Sequence, residues 1–100
     1  MIVLVKSNEE DAVNMCCFNF EHSVLYIKKC SNSDGIERYL LMAELGNDNS
    51  YICGYYSSRI NAETSLLEIT QAYLNGKSHF CVLTDEDVKK LNKREINNNE

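Results

Sequence analysis

The stretch Ser57–Gly76, SSRINAETSLLEITQAYLNG, constrains the chain most, because it carries a start signal, an apolar stripe and a stop signal for one helix. Ser57 or Ser58 can cap its N-terminus, a side-chain oxygen accepting from an otherwise unpaired backbone N–H. At about 100° per residue, Ala62, Leu66, Ile69 and Tyr73 share one narrow stripe. Thr64, Glu68, Gln71 and Asn75 fall roughly opposite, with Asn61 at the flank. Ala62 is small enough to let the helix sit close to a sheet. Gly76 after Asn75 suits the left-handed position that ends many helices. Leu67 and Leu74 lie off the stripe and read either as the edge of the core or as exposed contacts for a partner.

Strand-like runs lie on both sides of this helix. Met1–Lys6 is apolar on both sides, so it suits a strand covered on both faces or paired at a sheet edge. Ser7–Asp11 is an acidic turn. Ala12–Phe18 is extended, with Val13, Met15 and Cys17 on one face and Asn14, Cys16 and Phe18 on the other, and Asn19–His22 interrupts it. Ser23–Cys30 is rich in residues that suit a pleated surface. It sets Val24, Tyr26 and Lys28 against Leu25, Ile27 and Lys29. Ser31–Gly35 supplies hairpin chemistry through Asp-Gly. Glu37–Leu45 returns as the partner strand, Gly46–Ser50 is a second loop, and Tyr51–Tyr56 is a third strand. Gly54 inside it indicates a bulge or a close approach by another backbone.

After the helix, Lys77–Leu83 gives a last strand. Thr84 caps a short second helix whose early acids and late bases complement the helix dipole. Val88 and Leu91 are its anchors, and 97–100 form a frayed tail. The expected architecture is one α+β domain over 1–96: an antiparallel meander of about five strands on one main helix, with a short C-terminal helix. A two-fold homodimer through the uncovered sheet face or edge fits this plan.

One hundred residues make one domain with a modest core. A formal charge of −5 argues against a general nucleic-acid binder, which needs clustered Lys and Arg. No apolar run approaches a membrane span, and the opening MIVLV lacks the length and cleavage site of a signal peptide. The five cysteines are odd in number and form no CxxC pair, so they read as reduced thiols of a cytoplasmic protein, not as a metal site.

Little in the chain points to catalysis. His79 and Cys81 would share a strand face and offer a thiol beside a base. Nothing in the sequence orients that base, so a Cys/His hydrolase ranks last, and Cys17 with His22 is weaker still. The glycines are taken up by turns, bulge and cap, leaving no phosphate-cradling loop. No cofactor, metal or catalytic residue is assigned.

Tyrosine is the enriched type with binding character: Tyr26, Tyr39, Tyr51, Tyr55, Tyr56 and Tyr73. Tyr55 and Tyr56 must point to opposite faces, so at least one lies outside the helix-covered core. Tyrosine buries a large area at little entropic cost and keeps a polar handle. With Arg38, Lys28 or Lys29 nearby it can stack a base. Cross-strand tyrosine pairs that only stiffen the sheet are the competing reading. The expected interaction surface draws on Tyr39, Tyr55, Tyr56, Leu67 and Leu74.

The run GYYSSRINAETSLLEI, Gly54–Ile69, resembles a pattern in short proteins of phages, prophages and mobile elements of low-GC Gram-positive bacteria. The likeness extends to the opening apolar strand, to Ala12, Val13 and Asn14, and to the spacing of Ala62, Leu66 and Ile69. MCCFNFEH departs from it. The resemblance implies a mobile-element setting and no stated activity. The expected function is therefore a non-enzymatic accessory or anti-defence factor that engages a host or phage protein through an acidic, tyrosine-bearing surface. The alternative is a binder of a small nucleotide-like ligand at a dimer interface.

Overall fold

The computed structural model describes residues 1–5, 17–31, 33–46 and 49–98, and side chains as far as 92. In chain order it has β1 (Ile2–Leu4), β2 (Cys17–Asn19), a 3-10 turn (Phe20–His22), β3 (Val24–Ser31), β4 (Glu37–Glu44), β5 (Ser50–Tyr56), α1 (Arg59–Leu74), β6 (His79–Cys81) and α2 (Asp85–Asn98). The class is α+β, as expected. The strands do not form one meander of about five: β3-β4-β5 is an antiparallel sheet of three, and β2-β1-β6 is a separate sheet of three.

Two local causes divide them. The Asn19 side chain accepts from the Glu21 N–H at 3.2 Å, and the Ser23 hydroxyl donates to the Phe20 carbonyl at 2.9 Å. These bonds close a 3-10 turn and end the β2 ladder before β3 begins. The second cause is α1, whose 16 residues span about 24 Å. It carries the chain back far enough for β6 to pair in parallel with β1, which requires such a crossover. β1 is therefore a central strand covered on one face, not on both. Val3 is fully buried, whereas Ile2 and Leu4 are 41% and 40% exposed. Of the expected second strand, 12–16 lie outside the described residues; β2 buries Phe18 and exposes Cys17.

The meander runs as anticipated, with Leu25, Ile27, Leu41 and Ala43 on the helix side. Its one irregularity is in β5. Leu41 opposes Gly54 and Met42 opposes Ile52, so Cys53 is an extra, bulged residue, and it is buried. The close approach at Gly54 comes from a side chain, not from another backbone. A Cβ there would stand 2.7 Å from the Tyr56 hydroxyl oxygen and 2.9 Å from its ring.

Helix α1 starts on Ser58, whose side chain accepts from the Asn61 N–H at 3.2 Å. It ends at Gly76, where φ is +76°. Its buried stripe is Ala62, Ser65, Ile69 and Ala72, not Ala62, Leu66, Ile69 and Tyr73. The helix is turned so that the hydroxyl of Ser65, not the ring of Tyr73, faces the core. Leu66 packs at the core's margin. Tyr73 is 39% exposed and lies against Phe20, ring centres 4.6 Å apart. Leu67 and Leu74 are not core edge; both are largely exposed, as is Ile60.

In α2, Thr84 and Asp87 cap each other: the Asp87 N–H donates to the Thr84 hydroxyl at 3.1 Å and the Thr84 N–H to the Asp87 carboxylate at 3.0 Å. Val88 is fully buried and Leu91 half-buried. Neither helix is long and apolar enough to cross a membrane.

Gly54→Ala drives a methyl group into the buried Tyr56 ring, whose hydroxyl is held by hydrogen bonds. It should lower stability by about 1–3 kcal/mol, the usual cost of overpacking, read as a lower urea midpoint at unchanged slope; an unchanged midpoint would show that the ring can shift.

Candidate interaction face and its polar support

The meander's pleat sorts its side chains. Turned away from α1 are Tyr26, Lys28 and Cys30 of β3, Arg38, Leu40, Met42 and Glu44 of β4, and Ile52 and Tyr55 of β5. Leu40 opposes Lys28 on one side and Tyr55 on the other; Met42 opposes Tyr26 and Ile52. Leu40 and Met42 are buried yet stand apart from the main core, while the four flanking residues stay partly or wholly exposed. The result is a small apolar centre rimmed by amphipathic side chains. The Tyr26 hydroxyl donates to Ser50 at 3.1 Å, which fixes one rim ring.

The five residues expected at an interaction surface do not meet in one place. Tyr55 lies on this face. Tyr56, 1% exposed, is a core residue and offers no surface. Tyr39 is its cross-strand partner on the helix side and packs against the core. Leu67 and Leu74 are exposed, but on α1, across the sheet from Tyr55. Alternation shows that one of Tyr55 and Tyr56 must leave the core, but it does not show which; the bulge at Cys53 decides.

At the end of the face where β4 starts, β5 ends and α2 begins, an open cleft of about 280 Å³ is lined by Ile36, Glu37, Arg38, Tyr55, Tyr56, Ser57 and Asp85. Its charged lining is one cation, Arg38, and two carboxylates. Neither Lys28 nor Arg38 has an ion pair among the described residues, whereas Lys29 on the opposite face meets Glu37 at 2.9 Å. Glu44 is at the far end of β4. At its cleft end the tyrosine-bearing face thus sets Arg38, which has no ion pair among the described residues, beside the carboxylates of Glu37 and Asp85. Asp85 also begins the run of acids Asp85, Glu86 and Asp87 on the first turn of α2.

Two polar nodes hold the cleft wall. Asp85 accepts from the Ser57 N–H at 3.1 Å, the Ser57 hydroxyl at 3.2 Å and the Asn61 amide at 2.9 Å, and Lys89 lies 3.3 Å away. Partial burial pushes its carboxyl up, but the bonds from Asn61, Ser57 and Lys89 outweigh that and hold it below the ordinary aspartate value. Deeper in, the Tyr56 hydroxyl donates to the Leu83 carbonyl at 2.5 Å and lies 2.8 Å from the Ser65 hydroxyl. Each hydroxyl has one proton. The Ser65 hydroxyl also donates to the Leu83 carbonyl at 3.3 Å, so the two protons are shared among three mutually close oxygens. Burial pushes Tyr56 up to about 12, so it stays a donor. In the sequence Asn61 and Ser65 read as ordinary polar helix residues; nothing marks them as the bolts between α1, β5 and α2.

His79 and Cys81 do share a face of β6. The His79 ring meets the Ser78 hydroxyl at 2.9 Å, and no acid among the described residues orients it. The Cys53 thiol, pushed up to about 12 by burial, stays protonated. Among the described residues no group of three His, Cys, Asp or Glu side chains is placed to hold a metal. A second groove, about 420 Å³ between α1, β6 and α2, carries two acids, Glu68 and Asp87, and one base, Lys90, around Cys81.

The pH dependence follows from Asp85. Its pKa is lower folded than unfolded, so its stabilisation is complete above the ordinary aspartate range and fades as pH falls through the lower folded value. Asp85→Asn should therefore lower the thermal midpoint at pH 7 and flatten its decline below about pH 4; parallel acid limbs in both proteins would remove Asp85 from this role.

No protein-family model, curated protein or solved structure matches the chain.

Proposed function

We propose that the protein acts by binding, without catalysis, and engages a partner protein through the meander face turned away from α1. The observation that carries this reading is the pair Tyr26 and Tyr55 flanking the apolar centre Leu40–Met42. An apolar middle, aromatic flanks and a polar margin make up the anatomy of a protein-binding patch. The Gly54–Ile69 pattern adds a setting to this proposal: an accessory or anti-defence factor of a phage or mobile element, with a host protein as partner.

The nucleotide alternative draws on the same face, since Tyr55 stands beside Arg38. Size weighs against it. Pockets that enclose a small ligand run to about 300–1,000 Å³, and this cleft of about 280 Å³ is open on one side. It suits one chemical group better than a whole nucleotide.

Photo-cross-linking in the cell that carries the gene tests the reading. A benzophenone amino acid at position 26 or 55 should give a discrete adduct, and one at Glu86 should give none. Tyr55→Ala should weaken capture of that partner about tenfold or more, the loss expected for a central aromatic. Adducts from position 67 but not from 26 or 55 would move the working surface to α1, and an adduct with a second copy of the chain would make the partner the protein itself.

A further inference from the structure

We propose that the cleft at Arg38 seats a single oxyanion, a carboxylate or phosphate carried on a side chain of the bound partner. The inference rests on the binding reading above and names the chemistry the partner must present there.

Arg38 is held on the face by the β3–β4 ladder, directly opposite Cys30, and shares the lining of the cleft with Ser57, the residue after β5. The acids that border the cleft are already committed. Asp85 takes donors from Ser57 and Asn61 and lies beside Lys89, and Glu37 is paired with Lys29. Lys28, the other cation on this face, has no carboxylate partner among the described residues either. The chain holds 15 acids against 10 Lys and Arg, yet among the described residues half-buried Arg38 has no carboxylate partner.

A partly desolvated charge is costly unless something completes it. The arginine fork, planar and with paired donors, matches a carboxylate or phosphate through two parallel bonds. Tyr55 supplies one wall and Ile36, 52% exposed, the rim, so the group that enters arrives on a carrier with apolar atoms. A cation is not suited, because the carboxylates at the border have no unused charge to offer it. The cleft volume admits one such group.

The test uses phenyl phosphate and phenylacetate as probes in an NMR titration of the whole isotopically labelled protein, at constant ionic strength, following the Arg38 Nε–H and the backbone amides of Tyr55 and Ser57. Saturable shifts confined to these groups are expected. Arg38→Gln should abolish them, Arg38→Lys should weaken binding at least tenfold, and Arg59→Gln should leave it unchanged. Stronger binding of the phosphate assigns a phosphorylated side chain, and stronger binding of the carboxylate an acidic one. No saturable shift with either probe up to about 10 mM, well beyond millimolar affinity, overturns the proposal, as do shifts that survive in Arg38→Gln. The amide spectrum of each variant reports whether it is folded. If cross-linking at position 55 persists while both probes fail, only the oxyanion site is lost; if the probes bind but no partner cross-links, the partner-binding reading is the one that fails.

Discussion

The structure depends on the hydroxyl of Tyr56. Its ring is the largest fully buried side chain, and a phenol oxygen in that position must be hydrogen-bonded. The Leu83 carbonyl and the Ser65 hydroxyl meet it, one from the chain entering α2 and one from α1. Satisfying that single oxygen therefore joins the end of the meander, the main helix and the approach to the last helix. Ser65 on the inward side of α1 gives the phenol a second polar neighbour beside the Leu83 carbonyl. Asp85 repeats the arrangement at the rim, where Asn61 and Ser57 anchor the first turn of α2. The two nodes make α2 a docked element, although among its described side chains only Val88 is a fully buried apolar one.

Much of this architecture was legible in the residues. The caps at Ser58 and Gly76, the three strands of the meander and the start of α2 at Thr84 follow from short-range chemistry: side-chain oxygens at helix starts, glycine at positive φ and β-branched or aromatic runs between polar turns. What stayed hidden is long-range. β1 reads as apolar on both sides, and only its central place between β2 and β6 shows that Ile2 and Leu4 are an outer face. Asn61 and Ser65 look like solvent-facing helix residues until Asp85 and Leu83 arrive from more than a helix length away in sequence. The orientation of α1 was misread for the same reason: an apolar stripe finds the buried face only when the core contains no polar group that the helix must serve.

The candidate face shows the same division. That a tyrosine leaves the core at positions 55–56 follows from the pleat alone. That it is Tyr55, and that Arg38 and Lys28 lie on its side while Lys29 lies on the other, required the register. A net charge of −5 describes the whole surface and does not tell which of its cations lack a carboxylate partner.

The bulge at Cys53 has a consequence for how β5 can change length. On a regular strand Ile52 would share a face with Gly54 and Tyr56; here it shares one with Tyr55, three residues on, because the extra residue resets the alternation. Loss of Cys53 alone would leave two half-strands that face as they do now, joined without the kink. Loss of Gly54 instead would bring the Cys53 side chain to where a Cβ meets the Tyr56 ring, whereas a gain would turn one half over. The strand thus has a length tolerance in one direction only, and the place where that slack is stored lies next to the tyrosine that the binding face presents.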